Sequence, residues 1–410
     1  MSHVVVIGAG ITGITTAYAL LDQGHDVSIL ERHRYPAMET SFANGGQLSA
    51  SNAEVWNRWP TVIKGLKWML QRGAPLLIRP APSLHKYGWL CEFMGQIQHY
   101  RTNTTATVRL AIEARRHLFA MAEREGIDFD LERQGILHVY RGQTEFEEAA
   151  RVNELLRAGG LDRRPVTRDE MRSIEPAVQG NYYGGFFTES DATGDIHKFT
   201  RGLAAACVRR GARLLCEAEV TGLAAERSGV SISWRNADGA AETFAADAVV
   251  ICAGVASRRF AAMLGERVNI YPVKGYSITV HLDDAASQEA APTVSLLDDA
   301  TKIVTSRLGR DRFRVAGTAE FNGENRDILE ERIRPLVTWT QTLFPAVSTA
   351  RVVPWAGLRP MMPNMMPRVG AGRRPGVFFN TGHGHLGWTL AAATAQIVAA
   401  TITEALALPA

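Results

Sequence analysis

The hydrophobic positions come in two textures. At the start of the chain, Val4-Val5-Val6-Ile7 is an unbroken apolar run of buried-strand length. It meets Gly8-Ala9-Gly10-Ile11-Thr12-Gly13. Ile14, Ala17, Tyr18 and Leu21 then recur at helical spacing until Gly24. Asp26 to Leu30 reads as a second strand closing on Glu31. The same texture returns with an amphipathic helix from Lys198 to Arg210 and a strand through Leu215. Phe244 to Gly254 and Gly376 to Gly384 read as further buried strands that close on small residues. A last apolar stretch, Gly387 to Leu408, is interrupted by Gln396 and Glu404 and reads as a buried core helix.

Between these segments the pattern changes. Thr105 to Gly126 is a long charged helix, and Gly135 to Tyr140 a strand. Asn236-Ala237-Asp238-Gly239 signals a hairpin. Residues 263–353 alternate as half-buried strands do, as in Tyr276–Val280 and Arg312–Ala316. The prediction is an α/β chain with a Rossmann-like dinucleotide domain stitched from 1–55, 190–262 and 354–410. An α+β substrate domain with a mainly antiparallel sheet takes 56–189 and 263–353.

Composition adds exclusions. The 410 residues are 46% hydrophobic and 21% charged, an ordinary globular balance. Forty-five basic against 42 acidic side chains leave a net charge of +3, too small and dispersed for nucleic-acid binding. Cys91, Cys207, Cys216 and Cys252 show no CxxC spacing, so neither a disulfide framework nor a structural zinc site is expected. The start of the chain has no secretory character, and a cytoplasmic protein, at most peripheral on a membrane, is expected.

The glycine loop has a physical task. Gly8 permits the turn from strand to helix, Gly10 the close approach of a pyrophosphate, and Gly13 the packing of helix on strand. The helix N-terminus presents N–H groups to phosphate. Glu31 lies 21 residues after Gly10, near the ~20 expected of an acid that accepts from a ribose hydroxyl, and it disfavours a 2′-phosphate. The motif opens the chain and its texture returns twice, which fits FAD better than NAD.

With Glu31-Arg32 and Glu39-Thr40-Ser41-Phe42-Ala43-Asn44-Gly45-Gly46-Gln47, this start resembles the D-amino-acid oxidase-like flavoprotein superfamily, on its bacterial D-amino-acid dehydrogenase branch. Further blocks agree. They are Leu66-Lys67-Trp68-Met69, Tyr271-Pro272-Val273-Lys274-Gly275-Tyr276-Ser277, Gly357-Leu358-Arg359-Pro360-Met361, and Asn380-Thr381-Gly382-His383-Gly384 with Leu386-Gly387-Trp388-Thr389. The resemblance implies non-covalent FAD and hydride transfer from Cα of a D-amino acid to flavin N5. An imino acid then yields the 2-oxo acid and ammonia, and electrons pass to a respiratory or quinone acceptor. D-proline or cis-4-hydroxy-D-proline as substrate, a glycine- or sarcosine-type oxidase, and a flavin-carrying subunit of a heteromeric dehydrogenase are the alternatives. The chain departs from the family after Arg359, where Asn364 stands in place of an Asp-Gly turn.

Arg359 is the expected carboxylate clamp, because a guanidinium offers a planar fork and stays charged when buried. Tyr276 is a candidate second donor to that carboxylate, or a core aromatic. Lys274 is a candidate flavin-facing base, or a solvated lysine. His385 is a substrate-side candidate. The backbone of Gly382, His383, Gly384, His385, Leu386 and Gly387 is expected against the flavin. Ser41, Asn44, Gly45 and Gln47 are expected along the FAD, with Arg32 beside Glu31, Val220 at the adenine, and Cys252, Ala253 and Gly254 at a strand end. No metal is expected, since His383 and His385 have no acid or cysteine at ligand spacing. Trp56, Trp59 and Trp68 are expected in the core. The methionines of 361–366 suit either an adaptable pocket or plain packing.

Overall fold

A computed structural model describes residues 1–69, 75–79, 83–226 and 229–407. His3–Ile7 lies inside a six-stranded sheet, between Asp26–Leu30 and Ala248–Ile251. Arg213–Leu215 extends the first side, and Val377–Thr381 and then Arg368–Ala371 the second. The strands are parallel except Arg368–Ala371. Because both faces are covered, the strands read as continuous apolar runs rather than alternating ones. Val4, Val6, Val27 and Ile29 face helices Ile11–Asp22, Tyr100–Glu125, Ile196–Arg209 and Gly387–Ala407. Val5, Ile7, Val249 and Ile251 face an antiparallel sheet of Glu219–Glu226, Gly229–Arg235 and Ala241–Ala246.

A second sheet has nine strands. From one edge run Val352–Met361, Tyr271–His281, Arg312–Phe321, Ile303–Leu308, Ser295–Asp298, Ile136–Tyr140, Gly184–Thr188 and Arg164–Val166, with Leu76–Ile78 also on Arg312–Phe321. Pairing is mainly antiparallel. Ser295–Asp298 on Ile136–Tyr140, and Leu76–Ile78 on Arg312–Phe321, are parallel. Helix Glu330–Leu343 covers one face through Leu336 and Trp339.

The expected α/β architecture with a discontinuous dinucleotide domain is the one observed, and three details differ. The run from Phe244 to Gly254 is two strands that break at Asp247, whose carboxylate accepts the His3 N–H at 2.7 Å while its own N–H goes to the His3 carbonyl. The long charged helix, expected in the substrate domain, buries Ala114, Leu118 and Met121 in the core of the dinucleotide domain. The expected boundary at 354 falls inside Val352–Met361, a strand of the nine-stranded sheet. As expected, the C-terminal helix is a core helix: it is long and apolar enough to cross a membrane, yet its Ala391, Ala395 and Val398 pack into the same core as Ile14 and Ala17. Its expected last residue, Leu408, lies outside the described residues. The predicted hairpin forms as read, with the Asn236 side chain accepting the N–H groups of Asp238 and Ala240 and Gly239 at φ +81°.

Candidate active site

The glycine turn closes because side chains are absent. Gly8 sits at φ +102°, and a β-carbon there would stand 2.9 Å from the Cys252 carbonyl oxygen. A β-carbon on Gly13 would stand 1.8 Å from the Gly8 oxygen, so helix and strand pack only with glycine at 13. The helix starts at Ile11 with no side-chain cap from Gly10. Ser41 Oγ accepts the Ile11 N–H at 3.0 Å. Glu31 is buried; one carboxylate oxygen accepts the Ala9 N–H at 2.8 Å and the other the His33 N–H at 2.9 Å. Each oxygen keeps a second lone pair.

A cavity of about 510 Å³ runs from this turn to the nine-stranded sheet. Gly8, Gly10, Ile11, Thr12, Glu31, Arg32, Ser41, Asn44, Gly45 and Gln47 line it, as do Val220, Cys252–Gly254 and Gly382–Gly387. Ala9 and Gly13, also expected at the cofactor, pack beneath the turn instead.

Several side chains on this wall are already committed. Asn44 Oδ1 accepts the Gly46 N–H at 2.8 Å, and Gln47 Nε2 donates to Ser295 Oγ at 2.7 Å across to the second sheet. Arg32, Arg326 and His33 converge on Glu39. Burial alone would raise that carboxyl, but the hydrogen bonds from Arg326 and His33 and the charge of Arg32 hold it down at about 2. His383 turns its ring to Thr394 Oγ1 at 2.9 Å, and burial lowers its pKa to about 3, so it offers the cavity backbone rather than imidazole. Burial raises the Cys252 thiol to about 12.

The donor set suits a dinucleotide. It combines a helix N-terminus that takes no side-chain cap from Gly10, a turn that a β-carbon would fill, and a buried acid at the end of the second strand. The glycines at 382 and 384 have φ of +77° and +60°, which brings bare backbone to the cavity wall.

Arg359 stands at the other end. It lies opposite Val273, and Gly357 lies opposite Gly275. Its guanidinium folds over Gly275, where a β-carbon would be 2.3 Å from Cζ. Among the described residues no carboxylate pairs with it, and burial lowers its pKa to about 10, so it is still charged at neutral pH. Beside it, His385 stacks on Trp56 with ring centroids 4.6 Å apart and planes at 24°. Both ring nitrogens of His385 are buried and make no well-formed hydrogen bond. Burial, then the Arg359 charge, lowers its pKa to about 4, with the Asn52 backbone pulling the other way. An unpaired guanidinium thus faces a neutral imidazole.

Lys274 and Tyr276 do not join this pair. Strand alternation turns both away from the face that carries Gly275 and Arg359. Tyr276 Oη donates to Glu320 at 2.6 Å, and Lys274 Nζ reaches Glu320 at 3.1 Å, Asn325 Oδ1 at 2.6 Å and the Asp327 carbonyl at 3.0 Å. Burial would raise Glu320, but bonds from Tyr276, Arg79 and Lys274 keep it below the usual carboxylate range. These residues form a buried ionic network under the sheet, and the expected roles as carboxylate donor and flavin-facing base are corrected accordingly.

Trp56 was expected in the core and instead lines the cavity. Trp59 is exposed. Met361 and Met365 pack with Trp89 and Tyr271, so the methionine cluster is core. Gly275 carries a signal for this contact in the sequence, since a glycine within a strand marks a close approach.

A model of the family described as FAD dependent oxidoreductase matches residues 3–401. D-amino acid dehydrogenase 3 of Mesorhizobium japonicum is 64% identical over 402 residues, 98% of this chain and 97% of that protein. D-amino acid dehydrogenase of Paramagnetospirillum magneticum is 42% identical, covering 97% and 94%. Among solved structures, glycine oxidase from Bacillus cereus superposes with a TM-score of 0.75 at 21% identity over 98% of this chain and 95% of its own. L-proline dehydrogenase from P. horikoshii does so at 0.76 and 17%, over 98% and 93%. At such identities the structural likeness is one of fold.

Proposed function

We propose a D-amino-acid dehydrogenase on a plain premise: this chain belongs to the FAD dependent oxidoreductase family. The observation that carries the reading is Arg359, a charged guanidinium without a carboxylate partner, at the far end of the cavity from the glycine turn. The preference for D-amino acids draws on curated relatives that bear that name.

FAD, when bound, supplies the two-electron acceptor. Gly8, Gly10, Ile11, Thr12, Glu31 and Ser41 would hold its nucleotide end, and the Gly382–Gly387 backbone its ring end. The binding is non-covalent, in keeping with a Cys252 kept as thiol by burial and bonded to Thr16.

Arg359 clamps the substrate carboxylate bidentately, which turns Cα–H oxidation into an oriented, effectively intramolecular step. The amine reacts in its neutral form. His385 is uncharged, so it does not repel that nitrogen, and its free lone pair accepts an amine N–H. With a pKa of about 4 it is a hydrogen-bond acceptor and not a proton store. Trp56 holds the ring in place. Loss of two electrons and two protons turns the amino acid into an imino acid, and water then releases ammonia and the 2-oxo acid. The electrons pass on to a respiratory or quinone acceptor.

The test is anaerobic reduction of the protein's flavin by matched D- and L-amino acids, followed at the flavin absorption band. Bleaching by D-enantiomers alone is expected. Bleaching by L-enantiomers alone, or by sarcosine alone, overturns the reading.

A further inference from the structure

Thr318 breaks the pairing between Arg312–Phe321 and Tyr271–His281. Gly275 pairs with Ala319 and Tyr276 with Gly317, so Thr318 is the extra residue of a bulge. Its φ is +53°, the left-handed region, which a β-branched residue rarely adopts. The strain is held from the far side, where the next residue, Ala319, donates its N–H to Pro75 at 2.6 Å and accepts from Arg332 at 3.1 Å. Thr318 lines the cavity and is 6% exposed, and its hydroxyl is buried with no hydrogen-bond partner. A buried orphan hydroxyl costs free energy and calls for a partner.

The register locates that partner. Thr318 adjoins Gly275 across the strand pair, and the Arg359 guanidinium lies over Gly275. His385, whose ring nitrogens make no well-formed hydrogen bond, feels the Arg359 charge directly. One clamp therefore has two unpaired polar groups close by. The Arg359 fork occupies both carboxylate oxygens, which leaves the nitrogen for Thr318 and His385. Thr318 stands on the substrate sheet, away from the glycine turn that holds the dinucleotide.

We infer that Thr318 is a specificity-determining residue whose hydroxyl, with the His385 imidazole, receives the two N–H groups of a neutral primary amine. This rests on the reading under Proposed function and narrows it. A secondary amine such as D-proline has one N–H in its neutral form and needs only one of the two acceptors.

Thr318→Gly and Thr318→Ser test the assignment. Glycine adopts φ +53° freely, so the first variant removes the hydroxyl without a folding penalty from that angle. Three probes are compared: the primary D-amino acid that reduces the wild type fastest, D-proline as substrate or competitor, and benzoate, a carboxylate with no amine. For Thr318→Gly, kcat/KM on the primary amine is expected to fall about 10-fold, the loss of one hydrogen bond. D-Proline affinity should change by less than about 3-fold, and benzoate affinity, read from the flavin band, should not change. Thr318→Ser should restore the primary amine. No loss on the primary amine, or equal loss on all three probes, overturns the assignment. A wild type that no D-amino acid reduces overturns the underlying function instead.

Discussion

The Arg359 guanidinium lies against the bare backbone of Gly275, so that a β-carbon at 275 would stand 2.3 Å from Cζ and 2.4 and 2.5 Å from the two terminal nitrogens. The contact is made between neighbouring strands, 84 positions apart in sequence but adjacent in register. Gly275→Ala must push the clamp aside. A misplacement of about 1 Å is enough to cost ~10²-fold in kcat/KM. FAD content, measured from absorbance after denaturation, should stay at the wild-type ratio. A normal kcat/KM in this variant would show that the clamp lies elsewhere.

Arg359→Ala removes the fork itself. Leaving a substrate carboxylate unpaired in a desolvated site is expected to cost about 2–5 kcal/mol of transition-state stabilisation, with FAD still bound. Arg359→Lys should recover only part of this, because an ammonium cannot reproduce two parallel hydrogen bonds. Steady-state kinetics on one D-amino acid decide between these outcomes.

Acid should unfold the protein through its buried histidines. Burial lowers His138 well below its usual range, His383 to about 3 and His385 to about 4. Below about pH 6.5 the unfolded chain takes up protons that the folded chain refuses. Stability is therefore lost as pH falls, by up to about 1.4 kcal/mol per pH unit for each histidine down to its folded value. Thermal melts from pH 7 to 4 should show this fall. For the same reason kcat/KM should carry no His385 break near pH 6.5, and such a break would contradict a neutral imidazole.

The network under the sheet separates stability from chemistry. Glu320→Ala leaves Lys274 and Tyr276 buried without their shared acceptor, at a cost of about 3–5 kcal/mol in unfolding free energy. Tyr276→Phe loses one hydrogen bond to a charged group, about 1.5–3 kcal/mol, and should leave kcat/KM nearly unchanged in the folded enzyme. A large kinetic defect with an unshifted melting temperature would put the Tyr276 hydroxyl back at the substrate.

Local chemistry made much of this protein legible from its residues. The apolar run Val4–Ile7, the spacing of Gly8, Gly10 and Gly13, and the acid at Glu31 specify a strand, a turn and a helix through contacts within about 30 residues of sequence. Arg359 was legible through its motif, which marks a position and not a geometry. Strand direction was not legible in the same way. Whether Lys274 and Tyr276 or Gly275 and Ser277 shared a face with Arg359 depended on register, because one residue of slip exchanges the two faces of a strand. Asp247 ended a strand because His3, 244 positions away in the chain but on the adjacent strand, captured its carboxylate and N–H. The stacking of His385 on Trp56, the orphaned Thr318 hydroxyl and the packing of the long charged helix on the dinucleotide domain joined residues far apart in the chain. Periodicity reports which side of an element is apolar. Which partner covers that side, and which polar group is left without one, is settled by the packing of the whole chain.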